Sequence, residues 1–222
     1  VSFLCVLLVI MASPAMAVVT TAHTQPQPQQ SQIDVEDEIH VAASDLPGSG
    51  TSTEPYEISN VSELQAMEDD LDANYELVSD IDASQTAQFN NGSGFDPVGP
   101  CFNGSLDGDS HTITGLTIDR PDETDVGVFR VAGNGATLAD LTLANTTVTG
   151  NADVGGIVGR NQGTITHASV SGSVTGTGEF STVGGLVGFN VGNVTNARIS
   201  SNVTGDEYVG GLVGGNRGSL PT

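Results

Sequence analysis

Tryptophan and lysine are missing from this chain, and its only basic residues are five arginines, Arg120, Arg130, Arg160, Arg198 and Arg217. Against them stand 27 acidic residues, for a formal net charge of −22. So acidic a chain without basic patches is not built to bind nucleic acid. Aromatic residues make up 5% of the sequence, and the tyrosines are only Tyr56, Tyr75 and Tyr208. That leaves few stacking platforms for a lectin-type sugar groove. Cysteine occurs twice, at Cys5 and Cys101. Of the four histidines, His23, His40, His111 and His167, none falls in an HExxH or Cys/His metal spacing, and no G-x-S-x-G elbow is present.

What the sequence does contain is a phrase repeated near its C-terminus. Val154–Ile165 reads VGGIVGRNQGTI, Val183–Val194 reads VGGLVGFNVGNV and Val209–Leu220 reads VGGLVGGNRGSL. The spacings are 29 (154 to 183) and 26 (183 to 209), and a degraded copy starts 28 residues upstream, at Val126. The intervening stretches align too: Leu138, Ile165 and Val194 open them, Leu143, Val170 and Ile199 follow, and Val148, Val174 and Val203 precede Gly150, Gly176 and Gly205. Short β-branched runs punctuated by Gly, Asn, Ser and Thr are strands and turns, and no helical period interrupts them.

Strands this short cannot bury a face alone, so the repeats must stack on their neighbours. The predicted fold is all-β, a parallel β-solenoid (β-helix) of 26–29-residue repeats with coils about 4.8 Å apart. Equivalent residues then form columns. Asn161, Asn190 and Asn216 are expected to make an amide ladder at a turn, with Gly163, Gly192 and Gly218 beside them supplying positive φ.

The phrase GGLVGxNxG, at Gly184–Gly192 and Gly210–Gly218, resembles the GLUG motif of bacterial and archaeal surface proteins. PYEISNVSELQAMEDDLDANYELVSDID (Pro55–Asp82) and FNGSLDGDSHTITGLTID (Phe102–Asp119) are similar to the lead-in segments of such proteins, so the resemblance spans roughly residues 51–222. It implies a non-catalytic, extracellular β-helical module. Some proteins with this motif carry it beside the protease domain of immunoglobulin-cleaving metallopeptidases.

Residues 1–17 have an apolar core (Phe3–Met11) and an A-x-A site at Ala15–Ala17, the pattern of a secretory signal peptide cleaved after Ala17, though without a basic start. The missing basic start is expected to reflect a truncated or misassigned N-terminus. Cleavage removes Cys5 and leaves Cys101 as a single inert thiol, with no intrachain disulfide. Residues 18–50, with a Gln/Pro stretch and the acidic run Asp34–Glu38, are read as a disordered linker. Residues 51–125 are expected to hold an N-terminal cap and the first coils, and 126–222 the GLUG-type repeats, the last one truncated. Ser62-Glu63-Leu64-Gln65 fits a capping box, and Leu64, Met67 and Leu71 share a stripe, which predicts a short capping helix over Glu63–Leu71. Its role would be to cover the strand edges of the first coil.

Six sequons, at Asn60, Asn91, Asn103, Asn145, Asn193 and Asn202, are candidate glycan acceptors. Asp80 with Asp82 and Asp107 with Asp109 are the nearest approach to paired carboxylates, and the weak candidates for Ca²⁺. No residue is assigned a catalytic role, and no cofactor is expected apart from Ca²⁺. A high density of carboxylates without lysine is the composition of a halophilic archaeal protein, whose surface repulsion molar salt screens. The expected function is that of a secreted or cell-surface structural or adhesive module. Its partners would be cell-surface or extracellular matrix components, glycans among them, and a membrane anchor is not visible. The alternatives are a non-catalytic repeat region of a larger exported hydrolase and a polysaccharide-active β-helix.

Overall fold

The computed structural model describes residues 41–220. The expected leader, its cleavage site after Ala17 and most of the expected linker lie outside the described residues.

Three parallel sheets run along the solenoid. The first has six strands: Tyr56–Ile58, Asn74–Leu77, Ser105–Asp107, Thr137–Ala139, Thr164–Thr166 and Asn193–Thr195. The second has four: Phe129–Ala132, Val158–Asn161, Val187–Asn190 and Val213–Asn216. The third has eight, with the long strand Thr142–Gly155 at its centre, between Ser169–Gly176 and Thr117–Val126. The chain visits the three sheets in turn once per repeat. The apolar columns legible in the sequence are strand partners: Leu138, Ile165 and Val194 pair across the first sheet. Leu143, Val170 and Ile199, and Val148, Val174 and Val203, pair across the third. All but Ile199 and Val203, in the last coil, are buried.

The pairing also explains why the spacing varies about a 26-residue unit. The 29-residue copy carries three extra residues between Gly176 and Val183, a loop at whose tip Phe180 is 72% exposed. The degraded copy lacks one residue after Gly127, so Val126 pairs with Val154 but Phe129 with Val158. It regains two in the turn after Ala132 and one as a β-bulge at Asn145, which takes φ 53°. Insertions are tolerated at corners because the strands between them keep register.

The capping helix and the start of ordered structure differ from expectation. The helix runs Val61–Gln65 and tightens into a 3₁₀ turn over Ala66–Asp69. Its N-cap is Asn60, whose Oδ1 accepts from the Ser62 and Glu63 amides at 3.1 Å, while Glu63 Oε2 accepts from the Ser59 amide at 2.7 Å. The capping pair is thus Asn60 and Glu63 rather than Ser62 and Gln65. Val61, Leu64 and Met67 are its buried stripe. Order also begins before Thr51: Ala43 and Leu46 are buried, and Pro47 O accepts from the Glu57 amide.

An aromatic stack fills the early coils. Tyr56, Tyr75, Phe102 and Phe129 follow one another with ring centroids 5.6, 6.3 and 4.8 Å apart. The buried Tyr75 hydroxyl donates to Asp70 O at 2.8 Å, and burial pushes its pKa up. From Phe129 onward the strand partners are Val158, Val187 and Val213, so aliphatic side chains take over the core.

The glycine column departs from the sequence expectation in its cause. Gly163, Gly192 and Gly218 do not have positive φ. A Cβ on Gly192 would lie 2.1 Å from Gly163 O, and one on Gly218 2.1 Å from Gly192 O. Close approach of one coil's backbone to the next excludes any side chain. Gly192→Ala is therefore expected to cost about 3 kcal/mol, the upper end for overpacking against backbone. Gly211→Ala, with open space around it, is expected to leave the urea midpoint unchanged or slightly raised.

Candidate functional site

The asparagine column closes the turn between the second and first sheets. Asn161 Nδ2 donates to Asn190 Oδ1 at 2.8 Å, and Asn190 Nδ2 donates to Asn216 Oδ1 at 2.8 Å. Each amide also satisfies its own turn. Asn161 Oδ1 accepts from the Gly163 amide at 3.1 Å, and Asn216 Oδ1 from the Gly218 amide at 3.2 Å. Asn161 and Asn190 have no exposed surface, so these bonds form away from water. The equivalent position of the degraded copy is Ala132, so the column begins one coil later, at Asn161. The ladder is a structural device. Asn190→Ala would strand a donor on Asn161 and an acceptor on Asn216. It should cost roughly 2–4 kcal/mol in urea unfolding, while Asn216→Ala, at the exposed end, should cost less than about 1 kcal/mol.

The expected calcium pairs do not converge. Asp80 Oδ1 accepts from the Thr112 amide at 2.9 Å and lies 3.4 Å from His111 Nδ1. These contacts, the backbone bond foremost, hold its carboxyl below the usual range. Asp82 Oδ1 accepts from the Ser84 amide at 3.0 Å, and Ser84 holds its pKa down likewise. Asp107 Oδ1 caps the Asp109 amide at 2.9 Å. Three of the four carboxylates thus serve local turns or the adjoining coil, and among the described residues no three His, Cys, Asp or Glu side chains gather as a metal group.

Of the sequon asparagines, Asn60, Asn91, Asn103, Asn145 and Asn202 are exposed. Asn193 is half-buried, next to Thr164 in the first sheet. Asn60 reaches solvent while its Oδ1 caps the helix. Cys101 is half-buried, with a free thiol.

Sequence reasoning missed the arginine clusters, because Asp96 and Asp125, which complete them, are distant along the chain. Arg120 and Arg130 converge on Asp96 Oδ1 at 3.4 and 3.1 Å and on the two oxygens of Glu123 at 3.0 and 2.7 Å. Arg160 joins Asp125, at 3.3 Å from its Nε without hydrogen-bond geometry, to Asp153, the equivalent residue one coil on. Its guanidinium also lies 5.8 Å from the centre of the Phe189 ring, which Arg217 approaches to 5.5 Å. Asp125 is raised chiefly by burial, which with the repulsion of Asp153 outweighs the pull of Arg160.

For Glu123, burial alone would raise the carboxyl, but hydrogen bonds from Arg120 and Arg130 outweigh it and hold the pKa below its ordinary value. A carboxyl depressed in the folded state stabilises above its unfolded pKa and loses that contribution as pH falls through the folded one. Glu123→Gln is thus expected to weaken the fold near neutral pH. It should also shrink the part of the acid-induced loss that follows Glu123, measured as the difference between wild-type and variant urea curves across the carboxylate range.

Comparison with known proteins agrees with the repeat architecture. Residues 150–175 match the family model of the GLUG motif. Halomucin of Haloquadratum walsbyi is 42% identical over 140 residues, covering 58% of this chain and 2% of that protein. A Gly-rich membrane protein of Evansella cellulosilytica, itself provisionally described, is 36% identical over 132 residues, covering 55% of this chain and 15% of its own. The chain thus spans a small part of the curated relatives it matches. A crystal structure of a candidate immunoglobulin A1 protease from Bacteroides ovatus aligns over 79% of this chain and 75% of that one. Its identity is 22% and its TM-score 0.35, too low to support an argument. Among the described residues, no helix is long and apolar enough to cross a membrane.

Proposed function

We propose that this GLUG-repeat solenoid, which resembles haloarchaeal surface proteins, is a secreted or cell-surface structural and adhesive module without catalytic activity of its own. The observation that carries the reading is the constancy of its columns. Asparagine, glycine and apolar positions continue from coil to coil, so the sequence is used to extend a rod rather than to build one cleft. Several carboxylates support it, because Asp82 and Asp107 cap turns and Glu123 binds arginine. The 42% identity to Halomucin supports a place at the cell surface. Its acidic exterior suits molar salt, where the Debye length falls to about 3 Å.

The test uses the purified chain in molar sodium chloride. It should be retained by isolated haloarchaeal cell envelopes and should not turn over polysaccharide or peptide substrates. Free passage past the envelopes, or turnover of any substrate, contradicts the reading. Produced in a haloarchaeal host, the chain is expected to gain glycan mass at the exposed sequons, read by intact-mass spectrometry, before the half-buried Asn193.

A further inference from the structure

Arg198 stands apart in the arginine inventory. Arg120, Arg130 and Arg160 are paired with carboxylates, and Arg217 lies over Phe189. Arg198 is exposed and has no carboxylate within ion-pair distance among the described residues. In a chain with 27 acidic residues and five arginines, a guanidinium left free of them has a charge available for something else.

Its surroundings form a groove. A space of about 590 Å³ opens where the first sheet turns into the third, lined by Thr142, His167, Ser169, Asn196 and Arg198, with Ala168 and Ala197 between them. The register sets this arrangement: Thr142, Ser169 and Arg198 are strand partners on successive coils, and His167 and Asn196 occupy the equivalent left-handed corner positions at φ 51° and 52°. Ser169 Oγ donates to Thr142 Oγ1 at 3.2 Å. Asn196 Nδ2 lies 3.0 Å from His167 Nε2, and Asp140 Oδ1 lies 3.7 Å from His167 Nδ1. The lining is thus hydroxyls, an amide, an imidazole and one cation, while Ala168 and Ala197 between them pack inward against the core.

We propose that this groove binds a carboxylate-bearing saccharide, a uronate unit of an acidic polysaccharide. Arg198 takes the carboxylate as a fork of two parallel N–H donors, and Thr142, Ser169 and Asn196 meet the sugar hydroxyls. A single guanidinium suits one negative charge per sugar unit. The volume lies within the ordinary range for small-molecule sites of about 300–1,000 Å³. The lining lacks the broad apolar surface a peptide would bury. Long-range repulsion from the acidic exterior is screened in molar salt, so the contact at Arg198 decides binding. The assignment rests on the surface-module reading and names the chemistry of its partner.

The experiment titrates the full chain with trigalacturonate and with cellotriose in molar sodium chloride, followed by calorimetry. Trigalacturonate should bind and cellotriose should not. Arg198→Gln should weaken trigalacturonate roughly 10- to 100-fold, the loss of one charge-assisted contact, whereas Arg217→Gln, an equal change of charge elsewhere, should stay within about twofold. Ser169→Asp, which sets a carboxylate beside Arg198, should abolish binding even if Arg198→Gln disturbs the fold. No binding, equal binding of cellotriose, or equal losses in the two arginine variants would overturn the assignment. Envelope retention separates the two readings: an Arg198→Gln chain retained like wild type on envelopes removes the groove and leaves the module, while wild type that passes freely removes both.

Discussion

The distance between successive coils is the constraint on which everything else depends. Parallel strands at about 4.8 Å leave each residue directly above its equivalent, so any side chain the column cannot accommodate is excluded all along the rod. Two answers appear side by side in one turn. Asparagine turns the stacking to advantage, because an amide carries both a donor and an acceptor and can bond to a copy of itself on either side. Glycine yields to it, because the carbonyl of the preceding coil occupies the place of its Cβ. The buried amides of Asn161 and Asn190 are therefore satisfied by the column and by the backbone of their own turns.

The same stacking governs charge. Carboxylates repeated in register sit one coil apart and repel, as Glu57, Glu76 and Asp107 do in the first sheet; where Asp125 and Asp153 stand in equivalent positions, Arg160 lies between them. Elsewhere the outward columns of the third sheet change to neutral hydroxyls, as in Thr147 with Ser173 and Thr149 with Thr175. Acid is spread over corners and early coils, where aspartates also cap turns.

Much of this was legible in the sequence. The register of Leu138, Ile165 and Val194, and the amide column, follow from alignment of the repeats alone, because periodicity in the chain becomes position in space. What was not legible lies outside the repeated phrase. The aromatic stack from Tyr56 to Phe129 does recur, with Tyr75, Phe102 and Phe129 each 27 residues apart, but most of it lies in coils that lack the repeated phrase which would draw the eye to that spacing. Arg120 and Arg130 meet Asp96 across 24 and 34 residues, a separation no local pattern announces. The helix start was misplaced because Asn60, one of the sequon asparagines, is also the better cap. The role of Gly192 was misread because its steric reason lies in another coil.

Hydrogen exchange at the asparagine side chains, followed by NMR in molar salt, tests the central claim most directly. The account predicts that the Nδ2 protons of Asn161 and Asn190 exchange far more slowly than those of Asn216 at the exposed end or of Asn202 on the outer surface. Exchange of all four at the rate of a free amide would show that the ladder does not hold the coils together, and would contradict the account.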